Sequence, residues 1–232
     1  MGTKSRWIMV ALYAAGMAWV ESATVFYMRT LVDRVDPYQP HPVTVRHDLF
    51  SVELVRETAA LLMLFAVAWL AGRTKRSRFG YFLIAFGIWD ILYYVFMAVI
   101  SGWPRSILDW DILFLLPLPW WGPVLAPLAI ATLMILAGIL LCQAEQIEPM
   151  LWPRRWAWGM NLIGVVLLLY VFMADAVGVL AEGMEAVRTV RPVWFNWPLF
   201  LMAFLALAAP FIDLASQLWR HHIRATRVQE QE

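Results

Sequence analysis

Charge is what this 232-residue sequence has least of: 15% of its residues are Asp, Glu, Lys or Arg, and the formal net charge is +1. Soluble domains carry about 25% charged residues. A balance this small leaves no basic footprint for nucleic acid, which is excluded as a partner. Cysteine occurs once, at Cys142. That rules out an intrachain disulfide and any cysteine-built metal cluster, and Cys142 reads as a small packing residue. Histidine occurs four times. None falls within an expected span, so no transmembrane bis-histidine haem is expected, and His221–His222 reads as a basic cap on a helix C-terminus. There is no HExxH zinc helix, no P-loop for nucleotide and no G-x-S-x-G elbow. No internal repeat is visible.

Apolar residues make up 62% of the chain, the mean hydropathy is +0.66, and there are 14 tryptophans. Tryptophan favours the membrane interface, where its ring is buried and its N–H stays wet. A spanning helix needs about 20 apolar residues. The expected fold is therefore all-α, a polytopic bundle of six transmembrane helices over about 7–30, 55–72, 80–100, 120–142, 157–180 and 195–218. Residues 1–219 form the membrane domain, and 220–232, "RHHIRATRVQEQE", form a basic and polar cytoplasmic tail anchored at the membrane surface. The N-terminal apolar run continues to about Leu31, too long for a signal-peptide core, and reads as a retained first span. Arg6 stands where a myristoylation pattern needs Ser or Thr.

Basic residues give the orientation. With the N-terminus inside, eleven of the 18 Lys and Arg collect on the inner side, and the "RTKRSR" turn between spans two and three dominates. The positive-inside rule then puts both termini in the cytoplasm of a bacterial inner membrane. The longest outer loop, about Val32 to Leu54, contains Pro37, Pro40 and Pro42. It is expected to be extended and to fold back over the outer mouth of the bundle.

One stretch mixes membrane and turn signals: "SGWPRSILDWDILFLLPLPWWGPVLAP", Ser101 to Pro127. Its apolar part, 104–115, is too short to span. It is expected to form an interfacial helix on the outer face between spans three and four, starting at Pro104. Asp109 and Asp111 would point in different directions on such a helix, so one at most would face the bundle. Pro117 and Pro119 would end it.

Ionisable groups inside a span cost a few kcal/mol each and usually face the bundle interior. Glu21, Glu57, Asp90 and Asp175 come from four different spans, and all lie at the midplane or in the outer half. His47, Asp111, Arg29, Arg56 and Arg105 can reach the same level. Tyr93 and Tyr94 follow Asp90 by three and four residues, so at least one shares its face. The expected site is an outward-half intramembrane carboxylate pocket binding a cation, either a proton or a metal. Its metal ligands would be Glu21, Glu57, Asp90, His47 and Asp111. Arg29, Arg56, Tyr93, Tyr94 and Asp175 would support them. Oxygen donors suit protons and hard cations, and His47 would admit iron, zinc or manganese. Asp90 and Asp175, on separate helices, would also allow an aspartyl pair sharing one proton, but nothing around "MADAVG" strengthens that.

Three function classes follow. The first is a cation-handling membrane protein, with Asn161 and Asp213 as the obvious polar steps in the inner half. The second is a membrane-embedded metal-dependent oxidoreductase or hydrolase acting on a lipid-soluble substrate. The third is a non-catalytic subunit of a larger membrane complex, its acids serving as pairing groups. The bland reading of the same acids is that they form structural ion pairs with Arg29, Arg56 and Arg105.

Overall fold

A computed structural model gives the fold and describes residues 2–31, 35–38, 47–114, 118–147 and 151–229. Long apolar helices dominate. They are α1 (Thr3–Leu31), α2 (His47–Ala71), α3 (Lys75–Ser101), α4 (Leu125–Ile147) and α5 (Arg155–Gly178), followed by the short α6 (Met184–Thr189) and the successive α7 (Trp197–Leu207) and α8 (Ala209–Gln229). Among the described residues, five helices are long and apolar enough to cross a membrane, and α7 with α8 makes a sixth if the bent pair counts as one span.

Helix α3 is the hub, packing against α1, α2 and α4. A capping box between Thr74 and Ser77 starts it, and Gly102, at φ 72°, ends it. Helix α1 meets α3 along Val10, Ala14, Ala18 and Ser22, spaced four apart and all buried. Small side chains on one face let helix backbones approach closely, which is how helices associate where lipid removes the hydrophobic drive. The α3–α4 contact depends on this most. Gly80 and Gly138 face each other so closely that a Cβ on Gly138 would lie 2.5 Å from the Gly80 carbonyl oxygen.

The expected sixth span, 195–218, is broken. Helices α7 and α8 meet at 45° across Ala208. Pro210 cannot donate a backbone hydrogen bond, and its ring excludes the carbonyl one turn back, which is the usual cause of such a kink. Asn161 of α5 donates to the Leu207 carbonyl at 2.7 Å, satisfying a group beside the break. Helix α8 then runs unbroken through residue 219 to Gln229, so the start of the expected tail is a continuation of that helix.

The interfacial helix expected over 104–115 is not what forms. A turn leads into β1 (Trp110–Phe114), which pairs antiparallel with β2 (Trp120–Pro123), in register Trp110 to Pro123 and Asp111 to Gly122, with an irregularity between Ile112 and Phe114. The fourth helix accordingly starts at Leu125, not at 120. A short apolar run has no periodicity that separates a strand from a helix, and "WDILF" is rich in aromatic and branched residues that suit a strand. Asp109 fixes the turn: its Oδ2 accepts from the backbone N–H of Arg105 at 2.7 Å and Ser106 at 3.2 Å. The outer loop is also shorter than expected, because α2 begins at His47. Of that loop, Pro40 and Pro42 lie outside the described residues.

The hairpin closes one end of the bundle. Beneath it lies an apolar cluster of Ala126, Leu168, Phe172, Phe195 and Phe200. Gly122 lets β2 press on α5, where a Cβ would sit 2.8 Å from the Phe172 ring. Tyr38 covers the hairpin from outside, its ring 6.3 Å from those of Trp110 and Trp121, and its hydroxyl donates to the Pro192 carbonyl at 2.9 Å. The described part of the long loop thus folds back over this end. The opposite end carries the N-terminal start of α1, the "RTKRSR" turn and the start of α5, and is termed the basic end below.

Candidate functional site: a buried arginine–carboxylate cluster under the hairpin

Strand β1 carries Asp111 into the bundle, where it is 2% exposed. Arg29, in the last turn of α1, reaches it: Nη2 donates to Asp111 Oδ1 at 2.8 Å. The Tyr94 hydroxyl of α3 donates to Oδ2 at 3.1 Å, and the Ile112 backbone N–H donates to Oδ1 at 2.9 Å. Both carboxylate oxygens are therefore occupied. Burial pushes the Asp111 carboxyl above the usual carboxylate range, with Arg29 and the hydroxyl of Tyr94 pulling against it. The Arg29 guanidinium also lies 4.4 Å from the centre of the Trp103 ring and 3.5 Å from the Tyr93 hydroxyl. A desolvated cation–π contact of this kind contributes about 2 kcal/mol.

A second pair adjoins the first. Arg56 of α2 donates to Glu21 of α1, and its other nitrogen lies 4.0 Å from Glu57. Tyr93 joins the two, since Arg29, Asp111, Glu21 and Asp90 all act on it electrostatically. Ser22, next to Glu21, holds this part of α1 to α3 by donating to the Tyr93 carbonyl at 3.0 Å. Asp90 lies one turn deeper along α3 and feels the charge of Asp111. Its side chain makes no hydrogen bond or ion pair among the described residues.

Most of the expected site residues do meet, but not as a set of metal ligands. Glu21 and Glu57 gather at Arg56, Asp111 is held by Arg29, and Asp90 stands apart at a deeper level. The His47 side chain lies outside the described residues. Among the described residues, no three of His, Cys, Asp and Glu come together as a group able to hold a metal. Arg29 takes one oxygen of Asp111, and Arg56 takes one oxygen of Glu21. Asp175 makes no side-chain bond to the cluster. Arg105 contributes its backbone N–H to the turn and no ion pair among the described residues. Ser22 belongs to the run of small residues on the first span, whose pattern favours close helix approach, but Trp103 is not among the residues the sequence pattern singles out. The cue for Trp103 is its place just after a helix-ending glycine, at the level where Arg29 emerges.

Compared with family models, with curated proteins and with solved structures, the chain finds no match.

Proposed function

We propose that this chain is a multi-pass protein of a bacterial inner membrane, with both termini cytoplasmic, whose outer-half carboxylate pocket binds a cation, and that this cation is a proton. Glu21, Glu57 and Asp111 lie about Arg29 and Arg56, and Asp90 lies one turn deeper on α3. A buried carboxylate with no side-chain partner is costly in a low-dielectric interior, and protonation relieves that cost most simply. The carrying observation is Asp90, the one carboxyl of the four without a side-chain partner among the described residues. A proton needs a single oxygen, whereas a metal needs several converging donors.

The reading is of a binding site, not of a path through the membrane. Asn161 and Asp213, the polar steps expected at the other end, are engaged locally. Asn161 caps the Leu207 carbonyl, and Asp213 accepts from the Arg154 backbone N–H at 2.7 Å and from Gln217 at 2.8 Å.

The test is infrared difference titration of the purified protein, beside elemental analysis. A protonated-carboxyl band that titrates in the wild type and disappears in Asp90→Asn is expected, with no stoichiometric metal in either. An unchanged band in Asp90→Asn would remove Asp90 from the proposal. A stoichiometric metal lost in a Glu21→Gln/Asp90→Asn variant would replace the proton with a metal centre and favour the membrane-enzyme reading.

A further inference from the structure

The break in the sixth span borders a cavity whose mouth lies toward the basic end. It lies between α3, α4, α5 and the bent α7–α8 pair, is open at its mouth, and measures about 240 Å³, near the lower end of the range for ligand sites. Sites for small molecules and cofactors run to about 300–1,000 Å³. Its walls are apolar, with Leu83, Leu133, Met134, Leu140 and Phe211 among them. The one amide in the lining is Asn161, whose NH2 is committed to the Leu207 carbonyl. A water molecule needs two to four polar partners, which these walls do not supply. An empty apolar space forfeits the dispersion contacts of its lining. The cavity therefore suits an apolar occupant.

The rim identifies which one. Phe79 of α3 and Trp158 of α5 are the most exposed of its lining side chains, at 39% and 38%. Lys75 and Arg76 precede Phe79 by four and three residues, and Arg154 and Arg155 stand in the same relation to Trp158. That spacing puts basic residues about one helical turn, roughly 5.4 Å, beyond each rim aromatic. Lys75 and Arg155 are exposed, and the Arg154 side chain is 56% exposed. The described acids at this end are engaged: Asp213 by the Arg154 backbone N–H, by the Arg154 side chain at 3.9 Å and by Gln217, and Glu145 by the Thr74 hydroxyl at 2.8 Å. The mouth therefore presents an apolar slot under a cationic collar.

We propose that this cavity holds one acyl chain of an anionic phospholipid, with the phosphate seated against Lys75, Arg154 and Arg155. An anionic phospholipid carries both features in one molecule, and basic pockets between membrane helices are a recurrent way of holding anionic headgroups. The site does not depend on the proton-binding reading, since it lies at the other end of the bundle and shares no residue with it.

The test is native mass spectrometry of the full chain released from nanodiscs of equal phosphatidylglycerol and phosphatidylcholine. One phosphatidylglycerol retained per chain, in clear preference to phosphatidylcholine, is expected. The exposed double variant Lys75→Gln/Arg155→Gln should lose that preference, and Ala137→Trp, which fills the cavity, should lose the retained lipid. No retained lipid, no headgroup preference in the wild type, or full retention in Ala137→Trp would overturn the proposal. So would a different apolar molecule in the organic extract. If Ala137→Trp does not fold, the surface double variant decides: unchanged preference there overturns the site.

Discussion

Arg29 shows how one side chain organises the hairpin end. It emerges from the last turn of α1, bonds Asp111 from a strand far along the chain, and lies over Trp103. Removing one partner of a buried ion pair costs about 3–5 kcal/mol because the other charge is left uncompensated, while replacing both with apolar residues is often neutral. Asp111→Ala and Arg29→Ala should therefore each lower the thermal unfolding midpoint in detergent markedly. Arg29→Met/Asp111→Leu should recover most of that loss. A double variant as unstable as the sum of the two singles would show that Arg29 and Asp111 do not act as a pair. At this scale Asp111 and Glu21 are each ion-paired with an arginine, and Asp90 is the carboxyl on which the proposed proton site rests.

At the scale of elements, small residues let helix α3 and its neighbour α4 approach closely. The Gly80–Gly138 contact leaves no space for a side chain, since backbone atoms of the facing helix lie against each added Cβ. Gly138→Val should destabilise the fold by about 1–3 kcal/mol or more, the usual cost of overpacking. Gly159→Ala on α5, where nothing lies within 4 Å, should be neutral or slightly stabilising through helix propensity. Equal unfolding midpoints for the two variants would show that the α3–α4 contact is looser than this. The hairpin is the element that differs most from expectation. Its strand replaces a helix because Asp109 fixes the preceding turn and because β2 offers "WDILF" a partner. That partner lies beyond Pro117 and Pro119, and no local pattern in β1 announces it.

The whole molecule has two unlike ends. One is capped by a hairpin over a charged cluster, and the other is ringed by lysine and arginine around an apolar slot. The proposed orientation, from the positive-inside rule, turns the basic end to the cytoplasm. In a Cys142→Ser background, Arg105→Cys near the hairpin should react with a membrane-impermeant thiol reagent in intact cells. Arg73→Cys, at the basic turn, should react only after the membrane is opened. The reverse pattern would invert the orientation and move the carboxylate pocket to the inner half.

The sequence by itself determined the properties that depend on composition and local pattern. These are the long apolar helices, about half of their ends, the basic asymmetry, and the set of charged residues too costly to leave facing lipid. Each follows from transfer of single residues between water and hydrocarbon, which needs no partner. The tertiary structure decided what depends on distant partners. Asp111 faces inward because a strand pairs across the prolines, Asp111 and Glu21 meet Arg29 and Arg56, and Asn161 meets the Leu207 carbonyl beside the break. Those outcomes come from contacts between groups tens of residues apart, where geometry decides which charge meets which and no spacing along the chain records it.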